Sequence, residues 1–311
     1  MTAARLPDRL RGPVARVHAV AGRRAGLAAW YLRGLGTVLR RIPAGPWKSR
    51  LLNSLSSARW PEVALPARQV RVGARTSVWI APHTGEADFR AMFDRDLGYE
   101  PWVFTALEER LAGYDAVVEI GANVGLYTVF FAVAFRELGR EAAIVAFEPS
   151  RRAFARLIRN LDLNGAETAQ AFNCAVGRTA GPVSFYEPVG ALSNGSLQRE
   201  FAAHFSSRVR ESRVLCLDGP AVEALVPGSG RLLLKVDAEG AEPEVLQSLE
   251  RLIRLRRPDL VLEVLPETAD ALDRLPFLRS AYRLLALVPG GPSEEPRFRP
   301  HAGRDYLLVP R

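Results

Sequence analysis

The sequence predicts an α/β fold built on a doubly wound, mostly parallel sheet, and three observations carry that prediction. Val117-Val118-Glu119-Ile120 is a short, β-branched run without polar alternation, as expected of a strand covered on both faces. It ends in Gly121-Ala122-Asn123-Val124-Gly125, a turn whose glycines suit unusual dihedrals and close backbone approach, and reopens into Leu126–Leu138, apolar on every side. Strand-like runs then alternate with helical patterns: strands near 116–120, 143–147, 168–174, 231–236, 260–265, 282–288 and 305–309, with helices after the first five. The Pro/Gly-rich stretch from Pro289 to Pro300 has no helical pattern. The last two strands are therefore expected to pair antiparallel, as a C-terminal hairpin closing a seven-stranded sheet.

Ahead of this domain the chain changes character. Residues 1–59 hold twelve Arg or Lys and one acid, Asp8, so all the net positive charge of a chain at +8 lies there. Ala25 to Leu39 is apolar apart from Arg33, too short and too interrupted to span a bilayer, and it lacks a signal-peptide cleavage pattern. An amphipathic helix with Trp30, Tyr31 and Leu35 opposite arginines suits an anionic membrane surface. Packing on the domain, a dimer contact or a loose tail are the alternatives. Nucleic acid is not expected, because no stacking aromatics or recognition motif accompany the charge. Pro43, Pro46, Pro61 and Pro66 punctuate a linker, Val70 to Ile80 reads as a small hairpin around Gly73, and Gly98-Tyr99-Glu100-Pro101-Trp102 leads into a helix through Leu111. The expected division is a basic, partly helical extension over 1–60, a linker and hairpin over 61–97, and the catalytic domain over 98–311. Cys174 and Cys216 lie in apolar runs and read as buried free thiols, with neither zinc spacing nor a disulfide framework. That fits a reducing cytoplasm, with peripheral attachment to the inner face of the membrane as a variant.

Open α/β sheets bind ligands at the carboxyl ends of their strands. Ala143 to Phe147 ends in Glu148-Pro149, which places an acid where two ribose hydroxyls can donate to it. The competing role for Glu148 is a helix N-terminal acid ahead of Ser150. Dinucleotide folds use G-x-G-x-x-G, whereas Asn123 stands here where a second glycine is expected, and no basic cluster follows to hold phosphates. A cofactor with a ribose but no pyrophosphate fits better, and S-adenosylmethionine is the common one.

Five motifs in register then resemble one family: Glu119-Ile120-Gly121-Ala122-Asn123-Val124-Gly125-Leu126-Tyr127-Thr128, Ala146-Phe147-Glu148-Pro149, Asn160-Leu161-x-Leu163-Asn164-Gly165, Ala175-Val176-Gly177 and Lys235-Val236-Asp237-Ala238-Glu239-Gly240-Ala241-Glu242. In order and spacing they look like the FkbM family of S-adenosylmethionine-dependent methyltransferases, over roughly Gly98 to Val309. The resemblance implies a class I methyltransferase (Rossmann-like) fold and O-methylation of a hydroxyl on a sugar, glycolipid or polyketide-like secondary metabolite. It implies cofactor contacts from Gly121, Asn123, Gly125 and Glu148, with Glu119 near the amino end and Ala175 and Val176 beside the adenine. The family's similar Glu-Pro suggests that Glu100 lines the same pocket, unless it is only a helix N-terminal acid.

Methyl transfer to an alcohol needs the hydroxyl in line with the methyl group and its proton removed. In Leu232-Leu233-Leu234-Lys235-Val236-Asp237, a period of two puts Lys235 and Asp237 on one sheet face. A buried lysine must pair with an acid or a ligand oxygen. A Lys235–Asp237 or Lys235–Glu263 pair can serve only to hold strand ends; the functional reading puts Asp237 at the acceptor hydroxyl as base or metal ligand. Glu239, Glu242 and Glu263 add carboxylates that can hold Mg²⁺. The acids of the D-x-E-G-x-E stretch, Asp237, Glu239 and Glu242, can equally cap the helix starting near Ala241, so a metal is not favoured. Ser193 and Asn194 lie in a polar loop that the resemblance places over the acceptor site, where Glu263 also contributes. His204 is an alternative base, while His18, His83 and His301 have no supporting context. Two other classes remain: a dinucleotide-dependent oxidoreductase, against which the G-A-N-V-G turn argues, and a non-catalytic scaffold, against which Glu119, Glu148, Asp237 and Glu239 argue. The acceptor itself is not legible.

Overall fold

The computed structural model describes residues 18, 20–22, 24–58, 60–84, 86–299 and 304–311. The arginines at 5, 9, 11, 16, 23 and 59, and His301, lie outside the described residues. The chain divides into two compact units, Met1–Val72 with Ser77–Tyr99, and Gly73–Thr76 with Glu100–Arg311. The described part of the basic extension and both strands of the hairpin thus fall in one unit, and the hairpin's turn, Gly73–Thr76, in the other.

The first unit contains helices α1 (Ala25–Leu39) and α2 (Pro46–Ser57), strands β1 (Arg68–Arg71) and β2 (Ser77–Ile80), and a 3₁₀ segment at Ala87–Met92. Helix α1 buries Ala28, Leu32, Gly36 and Leu39, a stripe spaced at three and four residues. Leu32 and Leu39 join Leu52, Leu55, Leu65, Phe89, Met92 and Phe93 in a small core of their own. Gly36 is required there, since a Cβ would come within 2.6 Å of the Met92 carbonyl oxygen. The single apolar face expected through Trp30, Tyr31 and Leu35 is split. Tyr31 stacks on Trp60 and Leu35 packs on this core, whereas Trp30 is 74% exposed. Adjacent residues point about 100° apart on a helix, so Trp30 and Tyr31 cannot both face inward. Among the described residues no helix is long and apolar enough to cross a membrane.

The second unit opens with α3 (Pro101–Glu108), β3 (Ala116–Ile120), α4 (Leu126–Glu137), β4 (Ala143–Phe147), α5 (Arg151–Asn164) and β5 (Ala169–Phe172). A crossover follows through β6 (Ala175–Val176), β7 (Gly181–Pro188), α6 (Arg199–Phe205), β8 (Val209–Leu217) and α7 (Gly219–Leu225). Then come β9 (Leu232–Val236), α8 (Glu242–Ser248), α9 (Glu250–Arg256), β10 (Asp259–Glu263), α10 (Ala269–Asp273), α11 (Pro276–Ala281), β11 (Tyr282–Val288), β12 (Gly291–Glu295) and β13 (Asp305–Pro310). The main sheet runs in the order β12-β11-β13-β10-β9-β3-β4-β5. Strand β3 pairs in parallel with both β4 and β9, so the chain winds outward in two directions and reverses between β3 and β9. This is the doubly wound class I methyltransferase plan that the sequence predicts. The crevice at such a switch point is where open α/β sheets bind ligands.

Two expectations need correction. Among the described residues the main sheet has eight strands, not seven, because Gly291–Glu295 pairs antiparallel with β11 at the edge. Its residues Gly-Pro-Ser-Glu-Glu are mostly exposed and carry no apolar period, so nothing in the pattern announces a strand. Strands β11 and β13 are antiparallel to each other, and β13 is the one that lies beside β10. The third strand is followed not by a helix but by a crossover that carries a three-stranded sheet in the order β6-β8-β7. Elsewhere the burial follows the apolar pattern: every residue of β3 and β9 is buried, as is Leu126 to Phe135 on α4. Cys174 and Cys216 are buried and free.

At the end of the sheet opposite the Gly turn, Tyr114 Oη donates to Asp259 Oδ2 at 2.6 Å, and Arg231 Nη2 donates to the same oxygen at 3.1 Å. The bond joins the segment entering β3 to the first residue of β10. Tyr114→Phe removes one hydrogen bond to a buried carboxylate and is expected to destabilise the protein by about 1.5–3 kcal/mol, visible as a Tm lowered by several degrees. An unchanged melting curve would mean that Arg231 alone satisfies Asp259.

Candidate active site at the ends of the central strands

The turn after β3 is held by backbone geometry that few residues tolerate. Gly121 has φ +82°, Asn123 +51° and Gly125 +80°. A Cβ at Gly121 would lie 1.7 Å from the Asp237 carbonyl oxygen, while the Asp237 N–H donates to the Ile120 carbonyl at 3.0 Å. The ends of β3 and β9 approach so closely that only glycine fits between them. At Gly125, which opens α4, a Cβ would lie 2.9 Å from the Leu157 side chain on α5. Asn123 takes the left-handed conformation that Asn accepts more readily than most residues. The N–H groups of Gly121 and Ala122 both donate to the Phe147 carbonyl, and Asn160 Nδ2 donates to the Val124 carbonyl at 2.8 Å.

Glu148 closes the turn. Its Oε2 accepts from the Asn123 N–H and its Oε1 from the Ser150 N–H, each at 2.7 Å. The two roles weighed for this acid, turn ligand and helix N-terminal acid, therefore meet in one side chain. Burial pushes its carboxyl up to about 8, against the two N–H donors that favour the ionised form. Each oxygen retains a second lone pair, enough to accept one ribose hydroxyl apiece. Ala175 packs with Phe185, Val214 and Cys216, and Val176 joins the main core with Phe147. Their side chains are committed to packing, so an adenine would meet the backbone of this segment.

The facing strand supplies the charges. Lys235 Nζ lies 3.0 Å from Asp237 Oδ2 and 4.4 Å from the centre of the Tyr127 ring. The lysine is buried while the Asp237 side chain keeps 26% of its surface exposed. Of the two pairings considered for Lys235, the structure shows the one with Asp237. Burial alone would lower the Lys235 pKa, but Asp237, Glu119 and Glu100 raise it above its usual value, so the ammonium is charged. Glu119 stands opposite Lys235 in the β3–β9 register. Its Oε2 accepts from Thr128 Oγ1 at 2.6 Å, and its Oε1 is buried without a partner. Burial pushes Glu119 up to about 7, against Lys235 and Thr128. Glu100, left-handed at φ +41°, accepts from the Tyr127 hydroxyl at 2.6 Å.

A second group of acids adjoins this pair. Glu263 faces Arg304 at 3.8 Å and sits opposite the buried Asp305 in the β10–β13 register. Like charges placed directly across an antiparallel ladder repel. Burial raises the pKa of Glu239, Glu263 and Asp305, and the neighbouring carboxylates raise all three further. Asp237, Glu239 and Glu263 each offer an oxygen within 4.8 Å of the others, a spacing that fits either a hard divalent cation or shared protons. No side chain caps α8; Glu242 Oε1 instead braces the loop ahead of it, accepting from the N–H groups of Ala238 and Gly240 at 2.9 and 3.1 Å. Asp237 and Glu239 are left free of that task.

The polar loop is tied to this group from above. Ser193 and Asn194 form a 3₁₀ turn in which Ser193 Oγ donates to Asn194 Oδ1 at 3.3 Å, and the Asn194 side chain bonds the Glu239 carboxylate. Ser196 Oγ donates to the Glu239 carbonyl at 2.7 Å and Gln198 Nε2 to the Gly240 carbonyl at 2.9 Å, clamping Glu239 at φ +49°. His204 is exposed on α6 and lines a groove of about 310 Å³ with Phe201 and Pro243, a groove whose lining includes neither Lys235 nor Asp237. Three contributors escape the motif reading, Ser196, Gln198 and Asp305, and Thr128, the last residue of the first motif, has no role assigned by it. Thr128 had a signal, being the one hydroxyl besides Tyr127 in an otherwise apolar helix start, and Asp305 had another, as an acid opening an apolar strand.

The family model for the methyltransferase FkbM domain matches residues 119–284, which contain the Gly turn, Glu148 and the Lys235–Asp237 strand end. Among curated proteins, the chain is 27% identical over 169 residues to Methyltransferase 1 of Beauveria bassiana (strain ARSEF 2860), covering 50% of this chain and 65% of that protein. It is 30% identical over 178 residues to methyltransferase sdnD of Sordaria araneosa, covering 49% of this chain and 65% of that one. The match thus spans just under two thirds of each relative's length. Among solved structures, the methyltransferase FkbM from Methylobacillus flagellatus KT superposes with a TM-score of 0.41 at 17% identity, over 64% of this chain and 44% of that one.

The buried acids fix the sign of a pH effect. Glu119, Glu148, Glu242, Glu239, Glu263 and Asp305 all have folded-state pKa values above those of the unfolded chain. The folded protein therefore holds protons that the unfolded chain releases, and stability falls as pH rises from the ordinary carboxylate range through about 7–8. Without added ligand, Tm should climb as the buffer is taken from weakly alkaline to weakly acidic. A Tm that instead drops over this interval would mean that the acids are ionised and already compensated.

Proposed function

The chain belongs to the FkbM methyltransferase family, and on that premise we propose that it transfers the methyl group of S-adenosylmethionine to a hydroxyl of a sugar, glycolipid or polyketide-like metabolite. The observation that carries this reading is the placement of a partly exposed carboxylate, Asp237, on a buried lysine directly beside the tight Gly121 turn. The site also fits the cofactor's charge. Among the described residues, Glu119, Asp237, Glu239, Glu263 and Asp305 outnumber Lys235 and Arg304, the cations set against them, and Glu119 Oε1 has no partner. A ligand bearing an ammonium and a sulfonium relieves that imbalance. A nicotinamide dinucleotide, with two phosphates, worsens it.

Gly121, Asn123 and Gly125 would hold the cofactor backbone-first, Glu148 its ribose hydroxyls, and Glu119 its amino end. When bound, S-adenosylmethionine supplies an electrophilic methyl group, and the C–S bond breaks as the acceptor O–C bond forms. Asp237 takes the acceptor proton. Lys235, fixed by Asp237 and by the face of Tyr127, orients that carboxylate and offsets the charge building on the acceptor oxygen. Holding the hydroxyl in line supplies several kcal/mol of the rate enhancement, and the base contributes about 10²–10⁴-fold. Ser193, Asn194 and Glu263 border the same end of the sheet and are the proposed acceptor contacts.

Asp237→Asn is expected to cut turnover by about 10²-fold or more with little change in cofactor affinity. Radiolabelled methyl transfer to a panel of hydroxylated sugars and lipids, with a melting curve beside each rate, measures this. Normal turnover at unchanged stability would move the base to Glu239. Activity lost with EDTA and restored by Mg²⁺ would make Asp237, Glu239 and Glu263 metal ligands. Glu148→Ala should weaken S-adenosylmethionine binding by roughly ten- to a hundredfold, the loss of hydrogen bonds to a charged acceptor. Unchanged affinity would restrict Glu148 to bracing the turn.

A further inference from the structure

The first unit holds a cleft of about 650 Å³ that the methyl-transfer reading does not use. Its lining contains five arginines, Arg40, Arg41, Arg68, Arg71 and Arg95, and one acid, Asp96. That acid is already engaged, since Arg71 Nε donates to Asp96 Oδ1 at 2.6 Å. Asp94, close by, is shared between Lys48 at 3.3 Å and Arg90 at 4.0 Å. Among the described residues no carboxylate pairs with Arg41, Arg68 or Arg95. The Nε of Arg68 is buried with no hydrogen-bond partner.

The cluster is built rather than incidental. Arg40 is anchored by three backbone carbonyls: Ala91 at 2.6 Å, Gln69 at 2.7 Å, and Asp94. It is therefore held among like charges, and burial together with Arg68 and Arg95 lowers its pKa. Guanidinium groups crowded without counter-charge repel one another, and a bound anion reverses the sign of that interaction. Planar N–H forks match phosphate oxygens two at a time. Thr37 and Ser77 add hydroxyls, and Gln69 an amide, to the same walls. The lining has no aromatic ring for a base to stack on, which disfavours single-stranded nucleic acid.

We propose that this cleft binds a phosphate ester carrying more than one phosphoryl group, a diphosphate being the smallest group that matches three unpaired guanidiniums and Arg40. The site is independent of the proposed methyl-transfer chemistry. Such a group can arrive on a lipid or on a soluble sugar or metabolite.

The test uses the full chain and inorganic pyrophosphate, titrated by calorimetry at fixed ionic strength. Pyrophosphate is expected to bind, and both Arg95→Gln and Arg68→Gln to weaken it by roughly tenfold or more, the loss of one charge-assisted contact. Arg95 is exposed, so its variant keeps the test valid if Arg68→Gln folds poorly. Sedimentation with phosphatidylcholine vesicles containing diacylglycerol pyrophosphate, released by pyrophosphate and lost in Arg95→Gln, would support the site and assign it to a lipid headgroup. Pyrophosphate binding without sedimentation would support the site and assign it to a soluble ester. No pyrophosphate binding beyond that of chloride at equal ionic strength, or wild-type affinity in both variants, would overturn the proposal.

Discussion

The contact on which the site depends is that between the ends of β3 and β9, where Gly121 leaves no room for a side chain beside the Asp237 carbonyl. Parallel pairing of these two strands, both buried throughout, brings the turn after one and the acidic loop after the other to a single point. The sheet reverses its winding there, which opens a crevice at the strand ends. From this one approach follow the positive φ of Gly121, the brace of Glu148 across the turn, and the delivery of Asp237 to the mouth of the site.

Electrostatics then explains why the surroundings look overbuilt. Lys235 is a buried ammonium held by an acid, a ring face and an opposed glutamate, so it is fixed in place before any substrate arrives. Around it the carboxylates outnumber the cations, and burial keeps Glu119, Glu148 and the Glu239–Glu263–Asp305 group inclined to hold protons. A site assembled this way destabilises the fold near neutral pH and is relieved by a cationic ligand. The arginine cleft of the first unit shows the opposite imbalance, an excess of guanidinium with too little acid. Each unit thus carries a charge surplus that folding alone does not satisfy.

Much of this was legible in the sequence because it rests on local patterns. The apolar runs at 116–120, 143–147 and 282–288 coincide with strands β3, β4 and β11, and the Lys235–Asp237 pairing follows from the two-residue period of a strand. What escaped depends on contacts distant along the chain. Asp305 matters only because the β10–β13 register sets it against Glu263, and Ser196 and Gln198 only because their loop folds onto Glu239 and Gly240. Strand β12 has no apolar face to report it. A charge count along the sequence likewise does not reveal that the structure gathers Arg40 and Arg41 with Arg68, Arg71 and Arg95 around one cleft.

The central claim is that the acid-lined crevice at the β3–β9 switch point accepts a cationic nucleoside rather than a phosphate-bearing one. Calorimetric titration of the full-length protein with S-adenosylmethionine and, separately, with NAD tests it most directly. The account predicts saturable one-to-one binding of S-adenosylmethionine that is lost in Gly121→Val, and no competition from NAD. Heat from NAD with none from S-adenosylmethionine would contradict it.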